Sequence, residues 1–256
     1  MRVSLLRVLN REVPMGNVFL SPAALVVTLF VAGCHQSEPE KADAELAAIT
    51  KSEQPASASA FYRAEPCDEV VASSPPIIGR IFKYAMADKD SNQPLMTRIQ
   101  TVRSVSGDLV SYDEVLGMGE MSSPTEARQA RFGLLLTAST GRSVRYEGAE
   151  AAIKALQPGQ TARIPMTETL SPSDKMPAKG EAVVEFVGCG VTQPTVTGAP
   201  DEAVRVYRLT MPHSTAQTPG QMTEVTRLEI LLSQRYGWSV VESVPSGTMV
   251  LTSVTS

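Results

Sequence analysis

The strongest constraint on the fold is a repeated pattern that begins at Phe61. Short runs rich in Val, Ile, Thr and Tyr alternate with clusters of Gly, Pro, Asp and Ser, and this spacing is typical of all-β domains. Some runs also alternate in polarity, so that Leu228 and Ile230 share one face while Arg227 and Glu229 share the other. The pattern predicts a mainly β fold of antiparallel, curved sheet, arranged as a partly open barrel or a sandwich.

Turn and helix signals divide these runs. The predicted strands span residues 81–86, 96–105, 108–112, 132–137, 143–146, 161–169, 182–191, 204–211, 224–232, 239–244 and 249–254. A tight hairpin is predicted at Ser106-Gly107-Asp108, because glycine accepts the positive φ that such turns require. Short helices are predicted over residues 149–156, before Pro158-Gly159, and over residues 124–131.

The amino-terminal region has the form of a secretory signal. Three arginines within the first eleven residues precede an apolar run over residues 18–32, and polar sequence follows at once. A basic segment, a short apolar stretch and small residues before a cleavage point define such signals. The run is shorter than the roughly 20 residues that a membrane span needs. The alternatives are an uncut anchor, which would also place the domain outside the cytoplasm, and initiation at Met15 rather than Met1.

The apolar run ends in Val31-Ala32-Gly33-Cys34, which resembles the lipobox of bacterial lipoproteins. The resemblance implies cleavage by signal peptidase II before Cys34, a diacylglycerol on the Cys34 sulfur, and acyl chains such as palmitate that hold the protein on the lipid bilayer. His35, in place of Asp, is similar to the pattern that permits transfer to the outer membrane. We therefore expect a lipid-anchored protein of the cell envelope, on the outer membrane and facing the periplasm.

The mature chain is predicted to comprise a tether and one domain. Without the signal peptide, residues 1–33, the 23 basic and 27 acidic side chains fall to 20 and 26, since three Arg and one Glu are removed. Residues 34–60 are rich in Glu, Lys, Ala, Ser and Gln and are expected to form a flexible tether. Residues 61–256 form the β-rich domain. A glycine precedes a long β-like run at Gly79 and again at Gly159. This similarity suggests that the domain consists of two duplicated halves, residues 61–147 and 148–256.

The remaining cysteines predict a cross-link. Cys67 and Cys189 are left once Cys34 carries lipid, and an oxidising envelope favours a disulfide between them. Two free buried thiols are the alternative. A catalytic thiol is disfavoured, because His213 is the one histidine outside the signal and tether that could serve as its base.

Composition and motifs exclude several kinds of site. A sequence pI near 5.4 argues against nucleic-acid binding, which needs a basic face. The chain contains only two His and three Cys, so few side chains are available as ligands for a metal ion. Phosphate-cradling and Gly-x-Ser-x-Gly motifs are missing from the sequence, so no metal or cofactor is expected. Acids on strands, such as Glu181 and Glu185, are expected to face solvent.

These observations favour a non-catalytic envelope lipoprotein whose β domain binds another envelope protein or a small apolar ligand. The alternative is an envelope hydrolase for glycans or esters, with carboxylates drawn from separate strands. A pocket holding two close carboxylates, or His213 bonded to a serine and an acid, would favour the hydrolase. An apolar cup or an uncovered sheet edge would favour binding.

Overall fold

The computed structural model describes residues 58–67, 74–87, 94–170, 176–215, 217–218 and 220–256. The lipobox with Cys34 and residues 35–57 of the predicted tether lie outside these ranges. Fourteen strands are described: β1 (Tyr62–Glu65), β2 (Ile81–Ala87), β3 (Pro94–Ser106), β4 (Leu109–Met118), β5 (Met121–Ser122), β6 (Glu126–Arg131), β7 (Leu135–Ser139), β8 (Arg142–Tyr146), β9 (Gln160–Thr169), β10 (Ala178–Thr192), β11 (Ala203–His213), β12 (Glu224–Ser233), β13 (Ser239–Val244) and β14 (Gly247–Thr255).

The strands form a closed antiparallel barrel. Their order is β10-β11-β12-β13-β14-β2-β3-β4-β6-β7-β8-β9, and β9 pairs with β10 to close a ring of 12 strands. Two short strands lie outside the ring, since β1 pairs with β10 and β5 pairs with β4. The predicted mainly β, antiparallel fold is therefore confirmed. Closure satisfies the backbone groups that a partly open sheet would leave at its edges.

Local chemistry explains the turns and strand boundaries that sequence predicted. The β3–β4 hairpin closes at the Ser106↔Leu109 pair, and Gly107 adopts φ 61° as the predicted turn requires. Leu228 and Ile230 face the barrel interior, whereas Glu229 faces outward. The period-two alternation thus separates an inner from an outer face, as a barrel wall requires.

One predicted helix is wrong. Residues 126–131 form strand β6, paired on one side with β4 and on the other with β7. Its Glu, Ala, Arg and Gln residues favour a helix, but by well under about 1 kcal/mol per residue. Two ladders of backbone hydrogen bonds, and the inward placement of Arg128 beside Tyr112, outweigh that preference.

A single α-helix among the described residues, α1 (Ala149–Ala155), fills one end of the barrel. Ala149 and Ile153, four residues apart on one helix face, are buried against Leu134, Ile164 and Phe186. This matches the helix predicted over residues 149–156. Among the described residues, none of the helical segments has the length and apolarity of a bilayer-spanning helix. We call the filled side of the barrel the helix end.

The segment from Ala58 to Cys67 forms a clasp on the outside of the barrel. Ala58, which the sequence assigned to the tether, is fully buried, and its backbone N–H donates to Glu229 Oε1 at 3.0 Å. Cys67 and Cys189 are joined by a disulfide with a Cα–Cα separation of 5.1 Å. The predicted cross-link is therefore present, and it fastens the clasp to the wall strand β10.

Candidate functional site

The barrel encloses a cavity of about 230 Å³, which we call the lumen. The aromatic side chains of Tyr112 and Trp238 line it and are also part of the packed core. Trp238 is only 3% exposed, and its ring centroid lies 5.1 Å from that of Tyr112 in an edge-to-face arrangement. Its indole Nε1 donates to Gln100 Oε1 at 2.9 Å. This side of the lumen is therefore aromatic, and its indole N–H is paired.

Two unlike walls line the lumen. The charged wall comes from one arc of the barrel, strands β3, β4, β6 and β13, and comprises Arg98, Gln100, Glu114, Arg128 and Glu242. The other arc, strands β7, β8, β9, β11 and β12, forms the apolar wall with Leu136, Val144, Met166, Met211 and Leu228, and it also carries Arg142 and His213. Because the two arcs face each other across the barrel, the lumen is amphipathic in cross-section.

Arg98 occupies the centre of the charged wall. Its Nη1 donates to Glu242 Oε2 at 2.7 Å, and its Nε lies 4.0 Å from Glu114 Oε2. The guanidinium carbon sits 4.4 Å from the ring centroid of Tyr84, a cation–π arrangement. Tyr84 is held in turn, since its hydroxyl donates to the Ser239 carbonyl at 2.8 Å. These contacts fix the guanidinium plane.

Glu114 is the second node of the charged wall and is only 3% exposed. Arg128 Nη1 lies 3.1 Å from its Oε1, and Gln100 Nε2 donates to its Oε2 at 2.8 Å. Arg128 also contacts Glu126 Oε2 at 2.7 Å. Buried charges require such pairing, because each would otherwise lose its hydration without compensation.

The network keeps Arg98 and Glu242 ionised. Burial alone would raise the pKa of Glu242, but the Arg98 charge and the hydrogen bonds from Arg98 and Ser239 hold that pKa below its ordinary value. Burial would lower the pKa of Arg98, yet Glu242 and Tyr84 raise it overall. Burial, followed by the negative charge of Glu114, raises the pKa of Tyr112. At neutral pH Arg98 and Glu242 are therefore charged, and the Tyr112 phenol is neutral.

A second buried cluster lies toward the end of the barrel opposite the helix. Glu168, 1% exposed, contacts Arg142 Nε and accepts hydrogen bonds from the backbone N–H and the hydroxyl of Ser214 at 2.6 and 2.7 Å. His213 lines the lumen nearby and faces Glu224 at 3.9 Å. The serine next to His213 therefore donates to Glu168, and the described contacts do not assemble a Ser-His-acid arrangement.

The carboxylates of Glu114 and Glu242 do share one pocket, the observation that would favour a hydrolase. Each is bound by a guanidinium, however, and the pKa of Glu242 is lowered. A glycosidase needs a general acid whose pKa is raised so that it keeps its proton. The observed electrostatics suit a fixed ion-pair network better than an acid–base pair.

Sequence reasoning placed some of these residues and missed others. Glu181 and Glu185 face outward as expected, with side chains 53% and 34% exposed. Glu114, Glu168 and Glu242, for which no orientation was predicted, turn into the barrel. Strand β3 carries polar and apolar residues on both of its faces, so its sequence does not show which face is inside.

Comparisons add no relative from which a function could be transferred. No protein-family model, curated protein or solved structure matches this chain. Within the described part of the chain, no group of three or more His, Cys, Asp or Glu side chains is arranged to hold a metal ion. The functional argument therefore depends on the lumen itself.

Proposed function

We propose that this chain is a lipid-anchored, non-catalytic envelope protein whose barrel binds a small, largely apolar ligand in its lumen. The single observation that supports ligand binding is the lumen, a volume of about 230 Å³ in which an apolar wall faces a charged wall. Enclosed pockets with apolar linings and a few fixed polar groups are the usual form of small-molecule sites. The anchor and the envelope location are supported by the lipobox at Val31-Ala32-Gly33-Cys34.

The protein carries its own probe for ligand binding. Trp238 is the only tryptophan in the chain and it lines the lumen. Titration with small apolar compounds should therefore shift or quench its emission in a saturable way. Val144→Phe, which fills the apolar wall, should weaken binding about tenfold or more. Val115→Phe is the matched control, because Val115 pairs with Ile99 on the outer face.

The outcome is decisive in both directions. Saturable binding that Val144→Phe weakens and Val115→Phe leaves intact would support a lumen site. An emission that no compound changes, together with a flat calorimetric titration, would refute ligand binding in the lumen.

The anchor is tested separately by metabolic labelling with palmitate in a bacterial host. Cys34→Ser should abolish the label, whereas the double variant Cys67→Ser/Cys189→Ser should retain it. Label that persists in Cys34→Ser would refute lipidation at this position.

Binding of another envelope protein is a second candidate, favoured by one observation. Leu95, Met118 and Met121 are 58%, 58% and 71% exposed and lie at the barrel end opposite the helix. Exposed apolar side chains that gather on one surface often contact partners. A photo-crosslinker at Met121 in native membranes should capture a specific protein if this candidate holds, and one at Arg103 should not.

A further inference from the structure

We propose that the lumen binds a small organic carboxylate, whose charged group is held by Arg142 at one end of the barrel while its apolar body lies inside. This inference rests on the proposed function, because it names the chemical class of the ligand for the same lumen. Three features of the lumen support it: the position of Arg142, its free hydrogen-bond donors and the apolar wall beside it.

Arg142 lines the lumen at the barrel end opposite the helix end, which we call the mouth. It is the first residue of β8 and pairs with Ser139, the last residue of β7. The next residue, Ser143, pairs with Thr169 at the end of β9, whereas α1 precedes the start of that strand. The Arg142 side chain is 31% exposed. A solute can therefore reach Arg142 from the mouth.

The other two guanidiniums that line the lumen have no donors to offer a ligand. Arg98 donates through Nη1 to Glu242, and its Nε and Nη2 are buried. Arg128 contacts Glu114 through Nη1 and donates to Glu126 through Nε and Nη2. Neither side chain can take up an anion without giving up a present partner.

Arg142, in contrast, has donors to spare. It contacts Glu168 through its buried Nε, whereas Nη1 and Nη2 donate no hydrogen bond within the described part of the chain and are not among its buried atoms. Glu168 does not depend on these two nitrogens, because Ser214 donates to it from its backbone N–H at 2.6 Å and from its hydroxyl at 2.7 Å. Nη1 and Nη2 therefore form a free pair of donors, the arrangement that matches the two oxygens of a carboxylate.

A carboxylate suits this pair better than a neutral oxygen. It accepts both hydrogen bonds at once, and hydrogen bonds between charged groups are about twice as strong as neutral ones. The carboxylates that line the lumen are already bound by other guanidiniums, Glu114 by Arg128 and Glu242 by Arg98. Because the mouth is partly exposed, the carboxylate of the ligand keeps part of its hydration there and avoids the cost of full burial.

The apolar wall continues from Arg142 into the lumen. Val144 lies two positions further along β8, on the same face of the strand, and Met211 lines the lumen with it. Trp238 lies deeper and packs against Gly133, which precedes β7. The lumen volume of about 230 Å³ exceeds that of a cavity of about 150 Å³ that accommodates benzene. A single aromatic ring or a short branched chain bearing one carboxylate fits this description.

Three probes with equal numbers of non-hydrogen atoms separate the possibilities: isopropylbenzene, acetophenone and benzoate. Calorimetric titration of the intact protein at neutral pH should give benzoate an affinity about tenfold higher than either neutral probe, the effect of charge-assisted hydrogen bonds at a partly exposed site. If the neutral probes bind as tightly as benzoate, the inference is overturned while the proposed function stands. Failure of all three probes to bind would overturn both.

Paired variants test whether Arg142 is responsible for the preference. Arg142→Met/Glu168→Gln removes both members of the ion pair, so that no buried charge is left alone. It should bind isopropylbenzene as the wild type does and lose the tenfold preference for benzoate. The matched control is Arg145→Met/Glu147→Gln, which changes the charges equally; Arg145 lies on the same strand and is 76% exposed. A preference that survives in the folded first variant, or disappears in the control, would refute the assignment to Arg142.

The orientation of a bound probe gives a test that needs no variant. In crystals of the wild-type protein grown with 4-bromobenzoate, the carboxylate should lie within hydrogen-bond distance of Arg142 Nη1 or Nη2. The bromine, located by its anomalous scattering, should lie deeper in the lumen, on the Trp238 side. A bromine at the mouth with the carboxylate inside, or a lumen without bromine, would overturn the inference.

Discussion

Substitution of Arg98 by Met tests whether the charged wall is a buried network or a set of solvated charges. The change removes the 2.7 Å donor to Glu242 and the cation above the Tyr84 ring. Breaking a buried ion pair by removing one partner costs about 3–5 kcal/mol. Because Glu242 keeps its hydrogen bond from Ser239 and its side chain is 23% exposed, the cost should fall near the lower limit, about 3 kcal/mol.

The assay is chemical denaturation followed by Trp238 emission. For a domain of this size, a loss of about 3 kcal/mol should also lower Tm by about 6–12 °C. Arg98→Met/Glu242→Gln should recover most of the loss, leaving about 1 kcal/mol. Arg103→Met removes an outer pair whose arginine is 60% exposed and should cost under about 1 kcal/mol. If Arg98→Met costs no more than Arg103→Met, the wall is not a buried network and the reasoning fails.

Further predictions concern the cross-link, the pH dependence and the helix. Replacing Cys67 and Cys189 by Ser should lower the free energy of unfolding by about 4–5 kcal/mol, because the bond closes a long loop with a sequence separation of 122; an unchanged urea midpoint would contradict this. The lowered pKa of Glu242 contributes stability above the unfolded carboxyl pKa of about 4.3, and this contribution is lost as pH falls through the lower folded value. The stability gap between wild type and Glu242→Gln should therefore shrink from about pH 7 to about pH 3, and a gap that widens would argue against the pairing. Ile153→Ala should cost about 2–4 kcal/mol in the same denaturation assay, whereas a cost below about 1 kcal/mol would mean that α1 does not fill the barrel end.

The strands were largely predictable because their signal is local. Alternation on β12 places Leu228 and Ile230 on one face, and glycine at position 107 marks the hairpin that follows β3. Closure of the barrel was not predictable. It depends on the β9–β10 and β14–β2 ladders, and nothing in the sequence of any of these strands identifies its partner. Residues 126–131 show the opposite error, since local composition favoured a helix that non-local pairing overrides.

The grouping of the lumen residues could not be predicted from the sequence, for a related reason. Arg98 and Glu242 are separated by 144 positions, so their pairing depends wholly on barrel closure. Period two identifies two faces of a strand but not which is buried, and on β3 the usual assignment is inverted: Ile99 is 38% exposed while Gln100 is 3% exposed. Cys67 and Cys189 could be paired in advance because the chain offers few cysteines and no geometry is needed to count them.

The claim that the barrel is a ligand-binding protein is tested most directly by a crystal structure of the protein grown with isopropylbenzene, a small apolar compound. The account predicts electron density for the ring inside the lumen, against Met211 and Leu228. Density for isopropylbenzene only on the outer surface, with the lumen closed by side chains or holding water alone, would contradict it.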